Sequence, residues 1–81
     1  MKVLLITNDW SPKKGGISTY LTNFVKNFPE EILVFGPNWI EGDGTYQSSS
    51  KILLPTRRTI SEISKVIEEN GIDHIIMGSS N

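Results

Sequence analysis

The sequence predicts an α/β domain: an open, mostly parallel sheet of four strands carrying two helices. Three observations predict it. Four short aliphatic runs read as strands, and the first and most continuous of them, Val3-Leu4-Leu5-Ile6, is expected to be covered on both faces, the habit of parallel sheets. An amphipathic stripe at helical spacing lies between the first two runs, and a second lies between the last two. Glycine and proline punctuate the joins, which gives the order β-α-β-β-α-β with right-handed crossovers.

Lys2–Thr7 is the first strand, built on Val3-Leu4-Leu5-Ile6. Asn8–Gly16 is a loop, with Ser11-Pro12 as its turn signal. Ile17, Tyr20, Leu21, Phe24, Val25 and Phe28 then recur at i, i+3, i+4, i+7, i+8 and i+11. That is one apolar helical face, on which Tyr20 and Phe24 are assigned to packing, and Pro29 ends it. Glu31–Gly36 is the second strand. Pro37–Ser50 shows no helix or strand pattern, although Trp39, Ile40 and Tyr46 are available to fold back onto the core. Lys51–Leu54 is expected as a third strand closed by Pro55, and Thr56-Arg57-Arg58 as loop. Thr59 with Glu62 reads as a capping box opening a helix on Ile60, Ile63, Val66 and Ile67. Gly71 ends that helix at C′. Ile72–Met77 is the fourth strand, followed by the small polar run Gly78–Asn81.

A chain of 81 residues allows one domain and a small core, since this length buries only roughly 60% of the unfolded surface. Its apolar fraction of 37% and charged fraction of 21% exclude the disordered class. The apolar runs are too short to span a bilayer, and the N-terminus lacks a signal-peptide pattern. The absence of cysteine excludes a disulfide scaffold or thiolate metal site and suits a cytoplasmic setting. A net charge of −1 argues against general nucleic-acid binding. The charge is uneven, however. Residues 1–28 carry Lys2, Lys13, Lys14 and Lys26 against Asp9, a balance of +3, whereas Glu30, Glu31, Glu41 and Asp43 give residues 29–50 a balance of −4.

The positive excess sits partly at the Asn8–Tyr20 stretch, where a strand runs through a glycine pair into a helix. A helix N-terminus aims unpaired N–H groups and a positive dipole end outward, and glycine lets an anion approach the backbone. Gly15 and Gly16 are therefore candidate phosphate ligands, with Lys13 and Lys14 as candidate cations. Asp9 is a candidate partner for a substrate hydroxyl or, equally, a cap for the loop's own amides. Trp10 is either a lip touching a ligand or membrane or a side chain folded over the loop. The motif is neither the Gly-x-Gly-x-x-Gly fingerprint nor a Walker loop. Arg57-Arg58 lies on another carboxyl-end loop and is a candidate for an acidic headgroup or plain solvated surface. His74 falls at the opposite rim and takes no site role.

The string Thr7-Asn8-Asp9-Trp10-Ser11-Pro12-Lys13-Lys14-Gly15-Gly16-Ile17-Ser18-Thr19-Tyr20-Leu21 resembles the opening of retaining GT-B glycosyltransferases of the group 1 family. The likeness is closest to the phosphatidylinositol mannosyltransferase branch. Leu54-Pro55-Thr56 before the second helix and Ile72-Asp73 leading into the last strand extend it over the whole chain. The resemblance implies a partial Rossmann-like unit spanning residues 1–81, the first portion of a GT-B N-terminal domain. Its glycine loop would face an interdomain cleft near the donor diphosphate and the acceptor. The implied activity moves a sugar, with mannose as the first candidate, from a nucleotide-sugar donor to a lipid or small-molecule acceptor. No metal or other cofactor is implied. The basic pair and Glu-x7-Glu element that hold the donor in the family are not in these residues, and no catalytic residue is carried over.

The isolated chain is accordingly expected to be inactive. The apolar last strand, with one earlier neighbour, is expected to be a truncated edge prone to self-association. Peripheral contact with the inner membrane surface is a further expectation. The alternative is a non-catalytic α/β module that binds a phosphate-bearing ligand at the same loop.

Overall fold

The computed structural model describes residues 1–78, and the Ser79–Asn81 part of the expected polar end lies outside the described residues. The elements are β1 (Lys2–Thr7), α1 (Gly16–Lys26), β2 (Glu31–Gly36), β3 (Thr45–Gln47), α2 (Arg57–Asn70) and β4 (His74–Gly78). The strands form one sheet in the order β3-β2-β1-β4, with every pair parallel. Leu4 stands opposite Leu33 on one side and Ile75 on the other, so β1 is an inner strand, as is β2.

The unbroken aliphatic run of β1 is explained by two cores, one on each face. Leu5, Trp10, Leu21, Val34 and Ile40 pack beneath α1, and Leu4, Ile6, Phe35 and Val66 pack beneath α2. Alternate residues of β1 and β2 thus serve opposite layers. Because all strands are parallel, their carboxyl ends share one rim. The turn after β1, the Pro37 connection after β2 and Gly78 at the end of β4 all meet there.

The third strand differs from expectation. It is Thr45–Gln47, within the stretch expected to be featureless, and Lys51–Leu54 is not a strand. Val34 N–H donates to the Gly44 carbonyl (2.9 Å) and Ser48 N–H to the Gly36 carbonyl (2.8 Å), which seat β3 on the edge of β2. Residues 51–54 run instead along the rim, with Ile52 and Leu54 more than half exposed. Apolarity suggested a strand there, but the open sheet edge is already taken by β3. Ile40 does return to the core, and Trp39 and Tyr46 pack against its margins.

The second helix starts a turn early. Its N-cap is Thr56, whose side chain accepts from Thr59 N–H at 3.2 Å, so Arg57 and Arg58 are helical rather than loop. Glu62 therefore has no capping role. It accepts from Ser48 Oγ (2.6 Å) and Ser49 N–H (3.0 Å), tying α2 to the end of β3. Gly71 closes the helix in the left-handed region (φ 64°, ψ 37°), as its position predicts.

The first helix is shorter than its stripe. It ends at Lys26 because Pro29 disfavours helical backbone at Phe28. Tyr20 is 66% exposed and Ile17 41%, so assigning Tyr20 to packing is wrong. Ile17, Tyr20 and Phe24 instead line a groove of about 250 Å³ with Ile76 and Met77 of the edge strand β4.

Glu62 carries a pH prediction. Hydrogen bonds from Ser48 and Ser49, aided by Arg58, hold its carboxyl below the ordinary glutamate value. A depressed folded pKa contributes stability above the unfolded value, and that stability is lost as pH falls through the folded one. Glu62→Gln should therefore lower the urea midpoint at about pH 6 and lose its deficit by about pH 3, on either side of the ordinary ~4.3. Asp73 is lowered in the same direction, chiefly by the His74 side chain and then by Lys2 N–H. It is common to both chains and cancels.

Candidate functional site

The turn between β1 and α1 is held from both sides. Thr7 Oγ1 accepts from Asp9 N–H at 2.9 Å, and Lys13 N–H donates to the Trp10 carbonyl at 2.9 Å around a cis Ser11-Pro12 bond. Trp10 is buried, and its Nε1 donates to the Glu41 carbonyl at 3.1 Å. Glu41 N–H in turn donates to the Ser11 carbonyl at 2.9 Å. Of the two readings for Trp10, the structure selects the side chain folded over the loop.

Asp9 does not cap the loop's own amides among the described residues. Its buried carboxylate accepts from Lys13 Nζ at 2.7 Å. The i, i+4 pair fastens the loop and occupies Lys13, so the two lysines are not equivalent. Lys14 is exposed and makes no ion pair among the described residues. A polar groove of about 540 Å³ runs from Ser11–Lys14 along Ser18, Thr19, Thr22 and Asn23.

The glycine pair ends the turn. Gly15 is the N-cap of α1 at φ 149° and ψ 169°, a conformation that side chains resist, and it provides no side-chain cap. The first-turn N–H groups of a helix have no intrahelical partner. Here they open beside two exposed residues, and a Cβ added at either glycine would meet nothing within 4 Å. No acidic side chain stands in the first turn. The site therefore combines unpaired donors, a positive dipole end and one unpaired lysine, and it is suited chemically to an anionic oxygen.

Sequence reasoning missed Asn8. Its carboxamide accepts from Leu53 N–H (2.7 Å) and donates to the Leu53 carbonyl (3.3 Å). A side chain thus does the work of a strand neighbour and fastens the rim segment to the end of β1. Trp39 Nε1 donates to the Lys51 carbonyl (2.8 Å) and Asn38 N–H to the Ser50 carbonyl (2.9 Å), which hold the same segment. The only signal in sequence was a polar amide directly after a buried strand. Arg57 and Arg58 are exposed at the start of α2 on this rim. His74 lies at the amino end of β4 against Asp73 (2.6 Å), away from the glycine loop.

No family model matches the chain. Over 98% of its length it is 31% identical to the GDP-mannose-dependent monoacylated alpha-(1-6)-phosphatidylinositol monomannoside mannosyltransferase of Corynebacterium glutamicum. It is 26% identical over 96% of its length to the GDP-mannose-dependent alpha-(1-6)-phosphatidylinositol monomannoside mannosyltransferase of Mycolicibacterium smegmatis. The correspondingly named Mycobacterium tuberculosis protein is 27% identical over 98%. The chain spans 24% of the length of each of these curated relatives. Among the described residues no helix is long and apolar enough to cross a membrane.

Proposed function

We propose that this relative of the GT-B phosphatidylinositol mannosyltransferases supplies one wall of a sugar-transfer cleft. The donor is GDP-mannose and the acceptor a phosphatidylinositol-type lipid, the substrates named for the relatives. One observation carries the reading. The uncapped, exposed amides at Gly15-Gly16 stand on the carboxyl rim of a parallel sheet, where such sheets bind ligands.

In the transfer, the bond from the sugar's anomeric carbon to the diphosphate oxygen breaks. A bond from that carbon to an acceptor hydroxyl oxygen forms, and the hydroxyl proton is released. Negative charge grows on the leaving diphosphate. The Gly15 and Gly16 N–H groups are preorganised donors for it, and Lys14 adds a cation. Lys13 and Asp9 hold the loop in place through their own pair. The base of the donor and the opposite wall are assigned to residues beyond these 81, as a two-lobed enzyme requires.

The test is GDP-mannose turnover by a full-length protein carrying this segment. Gly16→Val should lower kcat/KM by on the order of 10²-fold, the typical loss when one oxyanion donor is displaced. Lys13→Met should act through loop order and Lys14→Met through donor KM. An unchanged kcat/KM in Gly16→Val, or turnover by the 81-residue chain alone, overturns the assignment.

A further inference from the structure

One buried polar side chain at the start of α1 has no use in the fold. Ser18 is 6% exposed and lies one turn before Leu21, the other buried residue of the helix. Its carbonyl accepts from Thr22 Oγ1 at 2.9 Å, but its hydroxyl makes no hydrogen bond among the described residues. No side-chain polar atom among those residues is sealed from solvent without a partner. The hydroxyl therefore opens into the polar groove of about 540 Å³ that Ser18 lines. An unpartnered hydroxyl at a buried position costs stability, and alanine would fill the same space without that cost. A ligand that accepts a hydrogen bond from it gives the hydroxyl a function.

The rest of the groove selects an anion. Lys14 stands on its turn side, and Thr19, Thr22 and Asn23 on its helix side. Residues 10–29 contain no aspartate or glutamate. Asp9 engages Lys13, which leaves Lys14 as the groove's unpaired lysine. Ser18 is the third residue of α1. Its own N–H, with those of Gly16 and Ile17, precedes the first helical bond, from Thr19 N–H to the Gly15 carbonyl at 3.1 Å. A hydroxyl and a lysine thus border one groove at the positive end of a helix dipole. That set suits a phosphate, whose oxygens accept several hydrogen bonds at once.

We propose that Ser18 binds a phosphoryl oxygen in this groove, its hydroxyl donating the hydrogen bond and Lys14 supplying the charge. The assignment rests on the transfer reading and deepens it. It adds a side-chain donor to the Gly15 and Gly16 amides on the leaving diphosphate. Unlike those amides, the hydroxyl can be removed without disturbing the backbone, so its contribution is separable.

The test begins with inorganic phosphate titrated into the 81-residue chain and followed by amide chemical shifts. Saturable shifts are expected at Gly16, Ser18 and Thr19. Ser18→Ala should raise Kd about tenfold, the loss of one hydrogen bond to a charged group, and Lys14→Met should raise it as well. The urea midpoint of Ser18→Ala should hold or rise, because the oxygen it removes bonds no protein group. A serine with a purely structural role would do the reverse. A lowered midpoint with an unchanged Kd therefore overturns the proposal, as does the absence of saturable shifts at Ser18. In a full-length protein, Ser18→Ala should lower kcat/KM for GDP-mannose about tenfold and weaken inhibition by GDP and by inorganic phosphate alike. Weakened inhibition by phosphate with none by GDP would mark a site for free phosphate and overturn the diphosphate assignment. Ser18-dependent phosphate binding by a full-length protein that transfers no sugar would count against the transfer reaction alone. Turnover that falls in Gly16→Val and is untouched in Ser18→Ala would count against this assignment alone.

Discussion

Phe35→Ala is expected to remove about 3–5 kcal/mol of stability, the usual cost of emptying a fully buried aromatic site. Phe35 is 1% exposed and sits in the β2 layer against Leu4, Ile6 and Val66. Leu33, Tyr46, Ile63 and Ile67 pack around the same cluster, so one deletion loosens β2, β3 and α2 together. Domains of this size hold about 4–12 kcal/mol in total. The variant should therefore be partly unfolded in buffer, with a urea transition shifted far toward zero or lost. Ile60→Ala, an equally drastic change in an exposed side chain, should cost no more than about 0.5 kcal/mol. Similar urea midpoints for the two variants would show that the layer beneath α2 is not where the fold is held.

Gly36→Ala is expected to cost about 1–3 kcal/mol by overpacking. Gly36 ends β2 where the chain turns back under itself. A Cβ there would stand 2.9 Å from both Cδ1 and Cγ2 of Ile40 and 3.1 Å from the Thr7 carbonyl oxygen. Ile40 is 1% exposed, and the carbonyl belongs to the inner strand β1. Adding Ile40→Ala to the same chain relieves the side-chain clash at the price of a cavity. The double variant should then be more stable than the sum of the two single losses predicts. Strict additivity in urea denaturation would mean that the backbone contact with Thr7, not Ile40, makes the glycine necessary.

The two variants act on the two layers that flank β2, Phe35→Ala beneath α2 and Gly36→Ala through Ile40 beneath α1, and through them on the carboxyl rim. The glycine turn, the Asn8 clasp and the start of α2 are all carried by the ends of β1 and β2 or pinned to them. Local changes at the rim, such as Gly16→Val, are expected to alter binding with little change in stability. Gly16 meets nothing within 4 Å.

Much of this molecule was legible in its residues, for physical reasons that can be named. β1 and β2 were legible because an aliphatic run without alternation is tolerated only where both faces are covered. The end of α2 was legible because Gly71 alone among its neighbours accepts a left-handed backbone without strain. The glycine turn was legible as a place, since two glycines between a strand and a helix have few other uses. The resemblance over Thr7–Leu21 accords with the mannosyltransferase relatives.

Other features depended on contacts between residues far apart in the chain. β3 could not be read because three residues of Thr-Tyr-Gln become a strand only when the edge of β2 is there to receive them. Lys51–Leu54 looked like that strand by composition and was displaced by a competitor nearer in sequence to β2. The cap of α2 was misplaced because Glu62 has a better partner in Ser48, and only the folded chain brings the two together. Lys13 and Lys14 are alike in sequence, and the buried carboxylate of Asp9 separates them. The sequence by itself therefore determined which segments are buried and where the chain must bend, since these follow from side-chain polarity and backbone freedom. Tertiary structure decided which polar groups remain unpaired at the rim. Each donor and acceptor takes the best partner within reach, and reach is known only once the sheet has formed.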